Sequence, residues 1–241
     1  MSPKLSVIIP TLNEEQDLPE CLASLNDLKA EVIVVDSGSA DKTTAIAKEF
    51  GAKVVHHLFS SYSDTRNFGD GLAQGEWIFS IEADVTVSPE LVKEILIAIN
   101  SDRFDAYLIG RVNIIWGKRI LHTDWGPKDD CHIWLYRRGV GEWRSLVHEE
   151  YVTQKRIGRL NNYLIHKNYE TVSEFIDKIN KYSDLALKQK NFYPNWWFLR
   201  DFFKRYFFKL GFLDGFRGLF LSYLQSVYYL TLSVKRYSKS N

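Results

Sequence analysis

Leu5-Ser6-Val7-Ile8-Ile9 is a short apolar run closed by Pro10, and the residues that follow it, Thr11-Leu12-Asn13-Glu14-Glu15, contain no glycine. A continuous run of this length reads as a strand buried on both faces. Leu18, Cys21, Leu22 and Leu25 then recur at three- and four-residue spacing, which marks one face of a helix. The alternation continues outward from there. Val32 to Val35 reads as a second buried strand, ending at Asp36 and a Ser37-Gly38-Ser39 turn. Asp41 is placed to cap a helix carrying Ala45, Ile46 and Phe50, with Gly51 stopping it. Val54-Val55 predicts a third strand, the segment after Asp64 a third helix, and Trp77 to Ile81 a fourth strand. Ser88-Pro89-Glu90 opens another helix with a capping residue and a proline at the first helical position. This order predicts an α/β fold, a mostly parallel central sheet covered by helices on both faces.

From about Asp105 to Ile165 the pattern shifts to short strands broken by Gly and Pro, clearest at Tyr107-Leu108-Ile109, Ile133 to Tyr136 and Tyr163-Leu164-Ile165. After Glu170 the chain turns helical, with Val172, Phe175, Ile176, Ile179 and Tyr182 keeping one face. No internal repeat or low-complexity tract is present.

A parallel sheet of this kind binds ligands at the carboxyl ends of its strands. The first strand–helix turn carries neither GxGxxG nor GxxxxGK[ST], so a glycine nest is not what neutralises the phosphates of a bound nucleotide. The substitute is a divalent metal held by carboxylates. Glu82-Ala83-Asp84 follows the fourth buried strand, and residues two apart on an extended segment point to one side. Hard oxygen ligands of that kind suit Mg2+ or Mn2+.

Val7 to Glu15, Val34 to Thr43 and Ile81-Glu82-Ala83-Asp84 together resemble glycosyltransferase family 2. Val147-His148-Glu149, the stretch from Gly158-Arg159-Leu160 to His166, and Phe212 to Gly218 are similar to the branch that builds the lipopolysaccharide core with glucose. The resemblance covers nearly the whole chain. It implies the GT-A fold and inverting transfer of a sugar from a nucleotide-diphosphate donor, a UDP-sugar and in the first instance UDP-glucose. On the same basis Thr11, Asn13, Glu14 and Asp36 fall where the base and ribose are bound. Arg66 and Asn67 lie before the fourth strand, where a side chain can reach the diphosphate, with a polar helix face as the alternative. Asp36 has a second reading, as the cap of the Ser-Gly-Ser turn.

Two departures stand out. The acidic motif begins with Glu82 rather than Asp, and the following acid is replaced by Val85. Asp84 is therefore the expected metal ligand, with Glu82 lining the donor site. His166 resembles a further metal ligand used in parts of the family. Glu149 occupies the slot of the catalytic base, which must lie within hydrogen-bond reach of the acceptor hydroxyl. Asp129 and Asp130 compete for that role, and His148 is placed to orient Glu149. Arg137 and Arg138 read as an exposed pair or as a phosphate clamp.

The 241 residues carry 31 Lys+Arg against 30 Asp+Glu, a formal charge of +1, which excludes a uniformly basic nucleic-acid binder. At 45% hydrophobic and 25% charged the chain is globular. Two cysteines, Cys21 and Cys131, do not make a disulfide framework. Leu5 to Ile9 is too short for the apolar region of a signal peptide. These features predict a cytoplasmic protein.

The average charge hides two unlike parts. Residues 192–241 hold 17 of the 35 aromatics and eight Lys/Arg against two acids, a net +6, so the preceding 191 residues carry −5. Cations among Trp and Tyr suit a helix lying in the headgroup region of an anionic leaflet. Packing onto the catalytic domain or onto a second subunit is the alternative. The longest uncharged stretch, Gly218 to Val234, is 17 residues and contains five polar ones, short and polar for a bilayer span.

The expected organisation is a GT-A domain over 1–170 and a helical extension over 171–241, peripheral on the cytoplasmic face of a membrane. The acceptor expected there is a glycolipid or other lipid-linked glycan. A polyprenyl-phosphate acceptor, and a non-catalytic membrane scaffold with a degenerate transferase domain, are the competing functions.

Overall fold

The computed structural model describes residues 3–145, 149–188, 194 and 196–240. The elements in chain order are β1 (Leu5–Thr11), α1 (Leu18–Ser24), β2 (Glu31–Asp36), α2 (Thr43–Glu49), β3 (Lys53–His56), α3 (Tyr62–Leu72), β4 (Trp77–Ser80), β5 (Val85–Val87) and α4 (Pro89–Ala98). They continue with β6 (Ala106–Ile115), β7 (Lys118–Arg119), β8 (Cys131–Arg137), β9 (Gly141–Arg144), β10 (Glu150–Thr153) and β11 (Ile157–Tyr169). The last are α5 (Val172–Lys188), α6 (Trp197–Phe203) and α7 (Gly215–Ser240).

The main sheet runs β3-β2-β1-β4-β8-β6-β11-β5, with β7 paired to β6. Its first four strands are parallel, and β8 joins β4 antiparallel. The apolar run of β1 is buried along Leu5 to Ile9, as a strand flanked by parallel neighbours and covered on both faces must be. Register places Thr11 opposite Asp36 and Ile8 opposite Ser80, so three strands end side by side. That edge carries the site.

Local chemistry sets the helix starts. Asp41 Oδ1 accepts from the Thr43 amide at 3.0 Å at the start of α2, and Ser88 Oγ accepts from Leu91 at 3.2 Å at the start of α4, with Pro89 at its first turn. The third helix begins earlier than expected, at Tyr62, because Ser61 Oγ caps it by accepting from the Asp64 amide. β6 and β11 are longer than their apolar runs. In β11 the polar interruption Asn161-Asn162 is absorbed by Glu94, whose carboxylate accepts from both amides and both side chains at 2.8–3.0 Å.

The chain forms two compact units, one of Met1–Arg111 and Cys131–His166, the other of Val112–Asp130 and Lys167–Asn241. The first has a core drawn from both faces of the sheet, centred on Val7, Ile8, Ile33, Trp77, Phe79 and Leu135. The second is built on Ile115, Ile120, Tyr169, Phe175, Ile179 and Leu221. Among the described residues no helix is long and apolar enough to cross a membrane. The uncharged run of α7 has a different purpose: Leu221, Ser222, Ser226 and Leu232 form its buried face.

Inside the first unit, Asp70 on α3 accepts from the Tyr136 hydroxyl at 2.8 and 3.0 Å, and Trp143 Nε1 donates to that same hydroxyl at 2.8 Å. Burial pushes the Asp70 carboxyl up from 3.8 to about 7, against the pull of the Tyr136 hydrogen bond and Arg66. The folded chain thus holds a proton that the unfolded chain releases. The stability tied to it is full below the ordinary carboxylate range and is lost as pH rises to about 7. Asp70→Asn should flatten this slope and add about 1–3 kcal/mol near neutral pH and above. Urea melts of both proteins at acid and alkaline pH check it; an Asn variant less stable than the parent at alkaline pH would contradict the assignment.

Candidate active site

The turn after β1 and the turn after β2 are tied together. Asn13, in the left-handed region at φ 58°, donates its amide to Ser39 Oγ at 2.9 Å, and its Oδ1 accepts from the Ala40 amide at 2.8 Å. Asparagine tolerates that conformation better than most non-glycine residues. Asp36 is fully buried, accepting from Gly38 at 3.0 Å and from the amide and hydroxyl of Ser39. His56 Nδ1 lies 3.1 Å from it. The Asp36 carboxylate therefore holds the Ser-Gly-Ser turn. Thr11 is buried beside it, its hydroxyl 3.5 Å from the Val35 carbonyl.

Glu14 is anchored through its amide to Thr43 Oγ1 at 2.8 Å. Burial first, and then the charges of Asp84, Asp17, Asp41 and Glu82, push its carboxyl up to about 7. A carboxylate crowd of this kind favours a cation.

The acidic triplet follows β4, and the antiparallel pairing of β5 with β11 sets His166 opposite Val85. His166 Nε2 consequently lies 3.1 Å from Asp84 Oδ2 and 4.0 Å from Glu82 Oε2. One ligand atom from each of Glu82, Asp84 and His166 falls within 4.8 Å of the others, an arrangement that could hold a divalent cation. The fit has a direct observation behind it: Asp84 Oδ1 is buried and has no hydrogen-bond partner. A buried carboxylate oxygen left in that state is costly, and a metal ion would satisfy it.

Arg66 projects from α3 and is 1% exposed. Its guanidinium lies over the rings of Trp143 and Trp134, 4.7 and 5.2 Å from their centroids, which are themselves 5.9 Å apart. It donates to Ser80 Oγ at 2.8 Å, to Glu82 Oε1 at 3.5 Å and to Glu149 Oε1 at 3.4 Å. Arg111, on β6, adds a 2.5 Å contact to Glu82 Oε2 and lies 5.2 Å from the Trp134 ring. The expected set therefore converges in part. Arg66, Glu82 and Glu149 form one linked group, and Asp84 and His166 join it through Glu82.

Asn67 faces elsewhere. Its side-chain amide locks β9 by donating to the Trp143 carbonyl and accepting from the Trp143 amide, both at 2.9 Å. Arg137 is held by Glu76 and Asp102 over the Trp77 ring, and Arg138 reaches the Ala73 carbonyl. Asp129 pairs with Lys209, and Asp130 is buried, accepting from Asn113 Nδ2 at 2.8 Å. His148 lies outside the described residues. Arg111, Ser80 and the two tryptophans escaped the sequence reading. A Gly110-Arg111 pair inside a strand was the available signal for the first, and nothing in the spacing marked the rings.

The model of Glycosyl transferase family 2 matches residues 6–227. An uncharacterized glycosyltransferase of Rickettsia typhi is 32% identical over 238 residues, 88% of this chain and 80% of its own. The lipopolysaccharide core biosynthesis glycosyltransferase LpsC of Rhizobium meliloti is 30% identical over 241 residues, 90% of this chain and 87% of LpsC. Among solved structures, residues 1-349 of S. aureus TarS match with a TM-score of 0.51 at 20% identity, over 68% of this chain and 60% of that one. The same TarS fragment in complex with UDP-GlcNAc gives 0.50 at 19%, over 70% and 59%. This chain thus spans less than two thirds of the TarS fragment, and the likeness there is one of fold, the GT-A arrangement. A family match across 6–227, on a sheet whose strand ends gather carboxylates where a phosphate loop is missing, makes this protein a glycosyltransferase of Glycosyl transferase family 2.

Proposed function

We propose that the unit formed by Met1–Arg111 and Cys131–His166 is a metal-dependent, inverting hexosyltransferase. Its donor is a UDP-sugar, UDP-glucose in the first instance. Its acceptor is a glycolipid of the lipopolysaccharide-core type. The observation that carries the reading is the unpartnered, buried Asp84 Oδ1 beside His166 and Glu82 at the strand ends. Asp84 and His166 would hold Mg2+ or Mn2+, with Glu82 beside them. The ion, when bound, neutralises charge on the departing diphosphate as a Lewis acid.

The chain's own residues account for the rest. Thr11, Asn13, Glu14 and Asp36 shape the pocket for base and ribose, Asp36 by holding the turn that walls it. The acceptor hydroxyl attacks the anomeric carbon from the face opposite the diphosphate. A new C–O bond forms, the glycosyl–phosphate C–O bond breaks, and the leaving diphosphate takes the bonding pair. Glu149 accepts the hydroxyl proton. Arg66 orients that carboxylate and also pairs with Glu82. In-line displacement of this kind inverts the anomeric centre through an oxocarbenium-like transition state. Both competing bases are engaged elsewhere, Asp129 with Lys209 and Asp130 with Asn113, which supports Glu149.

A glycolipid acceptor is supported by the 30% identity to LpsC across 90% of this chain and by the basic, aromatic extension, read as a membrane foot.

Glu149→Gln should lower turnover by about 10²–10⁴ while donor affinity stays near that of the parent; a matching fall in donor affinity would move Glu149 out of the base role. Asp84→Asn should lose the extra thermal stabilisation that UDP-glucose gives in the presence of Mn2+, because only a ligand bound to the folded form raises the melting temperature. An Asn variant that keeps the full Mn2+-dependent shift would remove Asp84 from the metal site.

A further inference from the structure

The second unit presents an apolar corner that its own core does not use. Between α6 and α7 the chain passes through a π-helical turn, Lys204–Phe208, and a 3-10 turn, Gly211–Asp214. Phe202 and Tyr206, both partly buried, stack on each other, and Tyr206 meets the exposed Phe212 edge-on. Phe203 and Phe207 stack separately and are each half exposed. At the tip, Phe208 is 83% exposed, Phe216 73% and Leu213 57%. A cluster of large apolar side chains left in solvent to this degree marks an interaction surface.

The corner is rigidly built. Asp214 accepts from the Leu121 amide at 3.2 Å and the His122 amide at 2.9 Å, and pairs with His122 Nδ1 at 3.0 Å. Gly215 turns the chain at φ +63°, where a side chain would be strained. Gly218 lies so close to the Gly211 carbonyl that a Cβ would come within 1.8 Å of it. The Phe212-Leu213-Asp214-Gly215-Phe216-Arg217-Gly218 motif is therefore a fixed bend that aims its apolar residues outward.

The acids at this corner are paired: Asp201 is buried against Arg205 Nε at 2.7 Å, Asp214 holds the bend, Asp124 meets Arg205 Nη1 at 2.9 Å, and Asp129 pairs with Lys209. Arg200, stacked on Trp197 with its guanidinium carbon 4.6 Å from the ring centroid, and Lys204, 3.5 Å from Asp124, are exposed. Exposed phenylalanine and leucine in the bend, with exposed cations on and after α6, supply the two kinds of group that a leaflet accepts, apolar side chains for the acyl boundary and cations for the headgroup phosphates. The sign of the charge selects an anionic surface.

We propose that the α6–α7 corner is a shallow insertion wedge. Phe208, Leu213 and Phe216 enter the acyl boundary of an anionic membrane, while Arg200 and Lys204 meet its phosphates. This rests on the reading of the extension as a membrane foot and assigns the contact to the bend; one face of the uncharged run of α7, with Leu221, Ser222, Ser226 and Leu232, is buried, while Phe220, Tyr223, Leu230 and Val234 on the same helix are exposed.

The test is co-sedimentation of the full chain with phosphatidylcholine vesicles, with and without phosphatidylglycerol. The parent should bind the anionic vesicles and lose binding as salt rises. The triple variant Phe208→Ser, Leu213→Ser, Phe216→Ser should bind at least about tenfold more weakly, with an unchanged melting temperature, since each removed side chain is more than half exposed. Phe208→Ser alone should lose about threefold or more and serves if the triple variant does not fold. Lys204→Glu should weaken binding to the anionic vesicles only.

Parent-like binding by the serine variants would overturn the wedge and leave the membrane foot standing elsewhere on the chain. No binding by the parent would overturn both. A parent dimer that the triple variant splits, with vesicle binding unaffected, would assign the corner to a second copy and overturn the proposal. Donor binding, read by UDP-glucose thermal shift, stays at the parent level in all of these variants, so each outcome is separate from the donor-site reading.

Discussion

One buried guanidinium ties the transferase site together. Arg66 is removed from water and would be strongly destabilising without partners. It has them: Ser80 at the end of β4, Glu82 in the acidic triplet, Glu149, and the two indole rings it lies over. Removing any one of these leaves a charge underpaired in a dry place. The strand that ends the parallel half of the sheet, the triplet that follows it and the residue assigned as base are thus fixed by a single side chain. Arg111 extends the arrangement by taking the other oxygen of Glu82.

That geometry explains how the chain accommodates glutamate where the family motif begins with aspartate. The longer side chain of Glu82 reaches back to two arginines, while Asp84 keeps one buried oxygen unpartnered next to His166. Under the proposed function the roles divide accordingly, with Glu82 organising cations of the protein and Asp84 offering itself to a cation from outside.

The parallel half of the fold was legible because its signals are local. Unbroken apolar runs become central strands, and the serine and aspartate caps lie within three residues of the amides they satisfy. The triplet Glu82-Ala83-Asp84 was legible as a pair of acids after a buried strand, but not its conformation: it lies in a turn between β4 and β5, closed by the Val85 amide donating to the Glu82 carbonyl at 3.3 Å, rather than on extended chain. Asn67 and Arg111 were not, because their meaning is set by what a distant strand brings up: Asn67 by the backbone of Trp143, Arg111 by the carboxylate of Glu82. Asp36 offered two readings from sequence, and its geometry places it in the turn-capping one, with both oxygens engaged by the turn it precedes. The uncharged run in α7 illustrates the converse limit. Hydropathy registers that the run lacks charge, whereas only packing reveals that Leu221, with Leu224 and Tyr228 beside it, joins the unit's own core.

Under the proposed function Asp84 and His166 form a mixed carboxylate–imidazole site for a divalent cation. Pulsed electron paramagnetic resonance of Mn2+ bound to the full chain with UDP reads this directly. The spectrum should show modulation from a directly coordinated imidazole nitrogen that disappears in His166→Ala. A Mn2+ signal with no nitrogen coupling, or one unchanged by that substitution, would contradict it.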